Sequence, residues 1–240
     1  EIETAHEQLK VYAAQAEDLA TTRERNRVAR EIHDGVGHYL TDFAMSWAGV
    51  EPQRVLPLVA LFMAVTLAFS FVYATLQFAM LAMNLLPAGG TADYIETGVW
   101  SEKAIADAKK LGKVHVAGSS KATNHDRIPP QSEIRYSAAP AYVHMTSNNT
   151  IFGTQWHHLP DVPEGVPLVN DASSDIFCRP VDIQRYGMIY GGAQKNLSIA
   201  GLTLVVVREE LLGKAPATTP VYLNYATHAK ERSLYNTPPV

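Results

Sequence analysis

The residues of this chain best suited to chemistry are a lysine and an aspartate that each follow a short apolar run. Lys195 lies in the small-residue segment Tyr190–Asn196, and Asp171 directly follows the apolar run Val166–Asn170. A lysine amine can bind a carbonyl compound covalently, provided that its surroundings keep the amine neutral. A carboxylate at the end of a strand lies where α/β sheets usually bind their ligands. The pair by itself is a weak signal, since most lysines next to glycines are solvated loop residues, and the segments around it strengthen the signal.

Several other segments accompany this pair in order along the chain. They are Gln77–Met80, Ala92–Trp100, Thr146–Thr150, Ser173–Ile176, Arg179–Asp182, Leu202–Lys214 and Ser233–Pro239. With the lysine segment, they make the chain from about Leu76 to Val240 resemble the phosphoserine aminotransferase family, whose members are fold-type-I pyridoxal-phosphate enzymes. The resemblance implies pyridoxal 5′-phosphate (PLP) as cofactor and a homodimer. It also implies amino-group transfer between phosphoserine and 2-oxoglutarate, a step of serine biosynthesis.

The resemblance also implies a role for individual residues. Lys195 would hold the aldehyde of the cofactor and later move the α-proton of the substrate, and Asp171 would face the pyridine nitrogen. Trp100 would stack against the ring. The other implied cofactor contacts are Thr150 beside the ring, Gln194 near the phosphate, and Asn236 and Thr237, which in the family reach the phosphate of the neighbouring subunit.

The sequence departs from the family pattern where the cofactor phosphate would bind. The family has a glycine-containing turn there, so that backbone N–H groups at a helix N-terminus can meet the phosphate. Residues 71–75 are Phe-Val-Tyr-Ala-Thr, in which Tyr73 adds bulk and Thr75 keeps one hydroxyl as a candidate contact. The family segments that grip the substrate phosphate and α-carboxylate also have no counterpart. We therefore expect impaired activity in this chain.

The N-terminal part has a different pattern. Apolar residues recur every seven positions, which predicts a long helix with a short coiled-coil seam. Residues 21–42 resemble the phosphoacceptor helix of two-component sensor histidine kinases. That resemblance implies His33 as phosphoacceptor, with Asp34 and His38 on one helical face next to it. The alternative function is therefore a phosphoacceptor and dimerisation module with a response regulator as partner. A third alternative is a chimera without function.

Between these parts, no charged residue occurs from Val55 to Ala92. Residues Val55–Leu76 are long enough to cross a bilayer as a helix. The alternative is an apolar helix buried within protein, and the sequence leaves both open. The corresponding locations are the cytoplasm, which the aminotransferase resemblance favours, or attachment to the inner membrane.

Composition excludes several classes of protein. The chain has 240 residues, of which 47% are hydrophobic and 18% charged, enough apolar residues for a globular core. A net charge of −4 gives no general attraction to nucleic acid. The single cysteine, Cys178, excludes an internal disulfide and is expected to be a small buried apolar residue. His157 and His158 lack the spacing of a metal site, so no metal is expected.

Short apolar runs without clean alternation predict strands covered on both faces by helices. The fold class is therefore α/β: a partial fold-type-I large domain with a mostly parallel sheet, preceded by a long N-terminal helix and an apolar helix. The predicted domains are residues 1–50, 51–75 and 76–240. Predicted strands are Val114–Ala117, Tyr142–Met145, Leu168–Asn170, Met188–Tyr190 and Leu202–Val207, and a helix is predicted over Ser101–Leu111 with Ser101 as N-cap.

Overall fold

The computed structural model describes residues 76–197 and 202–235. These residues belong to the second of the two units into which the chain divides, Thr66–Val240. Several predictions lie outside the described residues: the N-terminal helix with His33, Asp34 and His38, the apolar segment as far as Thr75, and the cofactor contacts Asn236 and Thr237. Within the described ranges, no helix is both long and apolar enough to cross a membrane.

The described ranges contain three α-helices and eight strands. The α-helices are residues 76–85 (α1), Val99–Ala108 (α2) and Tyr225–Lys230 (α3). The strands are Thr91–Glu96 (β1), Lys113–Ser119 (β2), Pro140–Thr146 (β3), Asn148–Asn149 (β4), Thr154–Gln155 (β5), Leu168–Asp171 (β6), Met188–Gly192 (β7) and Thr203–Val207 (β8). Short 3₁₀ turns occupy Lys121–Thr123, Gln131–Glu133, Ile183–Arg185, Glu209–Leu211 and Val221–Leu223.

Six strands form one sheet in the order β2-β1-β3-β6-β7-β8, and β4 pairs with β5 in a small antiparallel ribbon. Only β8 runs antiparallel to its neighbour in this sheet, so the prediction of a mostly parallel α/β sheet is confirmed. The chain moves outward from β1 to β2 and then returns to place β3 on the other side of β1. Ligands of open α/β sheets bind at such a reversal, beyond the carboxyl ends of the strands.

The two faces of the sheet bury two apolar clusters, as strand alternation requires. On the first face, Tyr94, Tyr142 and Tyr190 pack against α1 and α2. On the second face, Val143 and Met145 lie among residues of the connecting loops. Helix α1 is tied to the C-terminal part of the domain by Asn84: its Nδ2 donates to Leu223 O at 2.7 Å, and its Oδ1 accepts from Tyr225 N at 2.9 Å. These bonds fix α1 beside the site.

Each predicted strand is found, but strand β1 was not predicted and helix α2 begins earlier than predicted. Strand β1 was missed because Asp93 interrupts its apolar pattern. The Asp93 carboxylate is buried and accepts two hydrogen bonds of 2.7 Å from the N–H and hydroxyl of Ser137. Helix α2 begins at Val99, before the predicted start at Ser101. The Ser101 hydroxyl instead turns back, accepting from Thr97 N at 2.9 Å and Gly98 N at 3.0 Å.

Two further predictions were wrong. Cys178 is exposed, because it follows a tight turn in which Phe177 adopts a left-handed φ of 61° and itself points outward. Strand β8 is not covered on both faces, since its side chains are half-buried and Val206 is 39% exposed. The largely apolar sequence of β8 predicts full burial, whereas its position at the edge of the sheet leaves it partly open.

The packing of α1 gives the first testable prediction. Leu81 is fully buried in the cluster on the first face, whereas Leu111 is 43% exposed. We expect Leu81→Ala to lower the free energy of unfolding by about 2–5 kcal/mol, because the lost side chain leaves a cavity. Leu111→Ala is the control and should change that free energy by less than about 0.5 kcal/mol. Urea unfolding followed by circular dichroism measures both, and equal changes in the two variants would contradict the assigned packing of α1.

Candidate active site

A cleft opens where the carboxyl ends of the parallel strands meet the starts of α1 and α2. It is lined by residues from α1, α2 and the ends of β3, β6 and β7. Lys195, Asp171, Trp100 and Gln194 all line this cleft. The structure therefore brings together side chains that are far apart in the sequence.

Asp171 is the last residue of β6 and is only 4% exposed. Its Oδ1 accepts from the N–H and the hydroxyl of Ser173, at 3.0 and 2.6 Å. Gly192 N of β7 in turn donates to the Ser173 hydroxyl at 3.0 Å. The other oxygen, Oδ2, has no hydrogen-bond partner among the described residues and is available to a ligand. Burial raises the pKa of Asp171, while the Ser173 bonds and the charge of Lys195 act in the opposite direction.

Lys195 follows β7 in a turn that returns the chain toward the cleft. Its Nζ donates to Thr150 Oγ1 at 3.0 Å and lies 4.5 Å from the centre of the Trp100 ring. The side chain as a whole is exposed, but its amine lies against protein. Partial burial of this amine lowers the pKa of Lys195, and the negative charge of Asp171 opposes that shift. A lowered pKa makes the neutral, nucleophilic amine more abundant.

Trp100 lies in the first turn of α2 and presents its ring to Lys195. Gly98, which precedes α2, lies very close to β4. A Cβ at this position would be only 2.5 Å from Asn149 Oδ1. That approach lets Asn149 Nδ2 donate to Thr97 Oγ1 at 2.8 Å. Glycine at this position therefore sets the distance between the helix that carries Trp100 and the loop that carries Thr150.

Sequence reasoning missed two residues of the cleft. Ser173 lies in one of the segments that resemble the family, but sequence reasoning assigned it no role. An aspartate side chain often bonds to the backbone two residues further on, in an Asx turn, and that tendency is the signal that could have identified Ser173. Tyr190 lines the cleft and pairs with Asp171 across β6 and β7, but its sequence context shows only an apolar strand. In the described ranges, no cluster of three or more His, Cys, Asp or Glu side chains could hold a metal ion.

Comparisons with known proteins agree with this geometry. The aminotransferase class-V family matches residues 71–240, and a histidine kinase family matches residues 24–53. A phosphoserine aminotransferase of Herpetosiphon aurantiacus is 55% identical over 166 residues, which are 69% of this chain and 46% of that protein.

Solved structures give the same result. The phosphoserine aminotransferase of Bacillus circulans subsp. alkalophilus superposes with a TM-score of 0.66 at 49% identity, covering 69% of this chain and 46% of that one. A PLP-bound phosphoserine aminotransferase from Trichomonas vaginalis has a TM-score of 0.63 at 34% identity, covering 69% of this chain and 47% of that one.

The mostly parallel sheet and the lysine–aspartate cleft define a fold-type-I pyridoxal-phosphate architecture. The chain belongs to the aminotransferase class-V family. It spans about half the length of the curated relatives that it matches.

The electrostatic coupling in the cleft can be tested without a ligand. Because the charge of Asp171 raises the pKa of Lys195, we expect Asp171→Asn to lower that pKa further. The measurement is the pH dependence of Lys195 acetylation by acetic anhydride, resolved by peptide mass spectrometry. The control is Asp175→Asn, a nearby buried carboxyl bonded to Ser147 rather than coupled to Lys195. A labelling midpoint that stays in place or rises in Asp171→Asn would show that the two groups are not coupled.

Proposed function

We propose that this chain binds PLP in the cleft and transfers an amino group between phosphoserine and a 2-oxo acid such as 2-oxoglutarate. The observation that carries the proposal is the convergence of Lys195 Nζ, Trp100 and Asp171 on a single cleft. Relatives and solved structures named phosphoserine aminotransferase, about half identical over the matched region, support the same substrate class.

The side chains of the cleft fit the chemistry of such a cofactor. A flat pyridinium ring needs an anion for its N–H, and Asp171 Oδ2 is a buried carboxylate oxygen without another partner among the described residues. The ring needs a flat apolar surface, which Trp100 offers from the first turn of α2. The aldehyde needs an amine, and Lys195 Nζ lies 4.5 Å from the Trp100 ring.

When bound, PLP supplies an electron sink for negative charge that develops at the substrate α-carbon. The side chains of the cleft stabilise charge and transfer the proton. Asp171 must be ionised to hold the ring protonated, so the two bonds from Ser173 favour the active state of its carboxylate. Lys195 must move a proton at the α-carbon, which requires an amine of lowered pKa within reach. Thr150 Oγ1, which accepts the lysine N–H here, gives this amine a defined position.

The proposed phosphate contacts lie both inside and outside the described ranges. Gln194 lines the cleft, and we propose it as a phosphate contact together with Thr75. Asn236 and Thr237 would reach the phosphate of a second subunit, so the proposal includes a homodimer. The bulk of Tyr73 in place of glycine predicts weaker phosphate binding than in the family.

The decisive test is whether PLP becomes attached through Lys195. We expect the protein to acquire a visible absorption band on adding PLP that survives gel filtration, and borohydride reduction to leave the cofactor mass on the Lys195 peptide. Lys195→Ala should lose both. Lys110→Ala, whose side chain is 73% exposed, is the matched control and should keep them.

Turnover is measured on the same proteins as glutamate formed from phosphoserine and 2-oxoglutarate. Lys195→Ala should lower this rate by about a hundredfold or more, because the lysine is the proton-transfer group. Absence of the visible band from the parent protein would refute cofactor binding. A band without turnover would confine the function to cofactor binding.

The match of residues 24–53 to a histidine kinase family favours a second candidate function. We propose that His33 accepts a phosphoryl group from a kinase catalytic domain supplied by another chain. The imidazole is the acceptor, and the adjacent Asp34 carboxylate can polarise it or take its proton.

This function predicts acid-labile labelling of the protein when it is incubated with such a kinase domain and radiolabelled ATP. His33→Gln should abolish the label. His6→Gln, another histidine of the N-terminal part outside the motif, is the control and should keep it. Equal labelling of the two variants would exclude His33 as the acceptor.

A further inference from the structure

Two hydrogen-bonded pairs of aromatic side chains are buried on the first face of the sheet. The Tyr94 and Tyr142 hydroxyls are 2.8 Å apart, and His144 Nε2 is 2.8 Å from the Tyr190 hydroxyl. All four side chains are at most 1% exposed. The Tyr94 and His144 rings stack at 4.7 Å between their centres. Polar groups are buried at a cost unless they are paired, so each pair constrains the position of its rings.

The protonation state of His144 follows from its surroundings. Burial lowers the pKa of His144 to about 3, so the ring is neutral and carries a single N–H at physiological pH. Its Nδ1 is buried without a hydrogen-bond partner. Nε2 is therefore the ring atom through which His144 forms its hydrogen bond with the Tyr190 hydroxyl.

The Tyr190 hydroxyl has no hydrogen-bond partner other than His144 among the described residues. Tyr190 is paired with Asp171 in the β6–β7 ladder, and both side chains line the cleft. Because β6 lies between β3 and β7, the bond from His144 to Tyr190 reaches across β6, and the Tyr190 side chain passes over that strand beside Asp171.

We propose that His144 and Tyr190 are positioning residues of the cofactor site: their hydrogen bond holds the Tyr190 ring against Asp171, so that the free carboxylate oxygen stays aimed into the cleft. This inference rests on the proposed binding of PLP. Ser173 restrains one oxygen of Asp171 from the loop side. Tyr190 lies beside the same carboxylate on the side of the sheet, where no described side chain donates a hydrogen bond to it.

The test compares two variants that each remove one buried, hydrogen-bonded hydroxyl and keep the ring. Tyr190→Phe removes the partner of His144, and we expect the Kd for PLP to rise about tenfold, the effect of one lost hydrogen bond. Tyr142→Phe removes the partner of Tyr94. Because Tyr142 does not line the cleft, this variant should leave the Kd for PLP unchanged. Quenching of tryptophan fluorescence gives the Kd, and urea unfolding checks that the two variants lose similar stability. A Kd that rises equally in both variants, or in neither, overturns the inference.

Substitutions at His144 complete the test. His144→Gln keeps a donor N–H near the position of Nε2 and should bind PLP like the parent. His144→Leu should match Tyr190→Phe, and the double variant His144→Leu/Tyr190→Phe should be no weaker than either single variant, because both remove one interaction. Additive losses in the double variant would contradict the proposed pair.

A ligand-free measurement checks the hydrogen bond separately. In ¹⁵N-histidine spectra, the Nε2 resonance of His144 should shift in Tyr190→Phe, and an unchanged Nε2 resonance would overturn the inference. If the parent binds no PLP, the proposed function fails and the inference fails with it. If the parent binds PLP and Tyr190→Phe binds equally well, only the inference fails.

Discussion

A carboxylate buried at the carboxyl end of a parallel strand is the constraint on which the site depends. Asp171 has lost most of its contact with water, so its charge must be stabilised by fixed neighbours. Ser173 supplies two donors, and Gly192 of the next strand holds the Ser173 hydroxyl in place. The carboxylate is thereby tied to both β6 and β7. The same strand β7 leads directly into the turn that carries Lys195, so one ladder of the sheet fixes both charged groups.

Helices α1 and α2, beside this ladder, each contribute side chains to the cleft. Gly98 allows the start of α2 to approach the loop after β3, which places the ring of Trp100 within 4.5 Å of the lysine amine. Asn84 ties α1 to the C-terminal part of the domain, so Gln77 and Phe78 line the opposite wall of the cleft. The half of the cleft that would meet a positively charged aromatic ring is therefore complete in the described residues. The phosphate contacts proposed for Thr75, Asn236 and Thr237 lie outside them.

The second face of the sheet differs from the first. The first face is packed by α1, α2 and aromatic side chains, whereas β8 leaves Val206 partly exposed on the second. Phe177, held at a positive φ beside this region, is 69% exposed. Parallel sheets are normally covered on both faces. Membership of the class-V aminotransferase family rests on a match over residues 71–240.

The sequence by itself predicted the fold class and five of the strands. Apolar runs identify strands because burial on both faces leaves little room for polar residues. The family resemblance, and not the apolar runs alone, singled out Lys195, Asp171, Trp100 and Thr150 as a group. Strand β1 was not predicted, because Asp93 interrupts its apolar pattern. The buried Asp93 carboxylate accepts a hydrogen bond from Ser137, 44 positions away in the chain, and no local pattern can show that bond.

Only the tertiary structure decided which side chains support the site. Tyr190 and His144 lie 46 positions apart and look in the sequence like ordinary strand residues. Their bond exists because β6 inserts between β3 and β7, a consequence of strand order, which short apolar runs do not encode. The exposure of Cys178 was decided in the same way, since the turn at Phe177 directs the chain outward. Residue types and their spacing indicate which side chains could do chemistry. The partners of a buried polar atom depend instead on the order of the strands in the sheet.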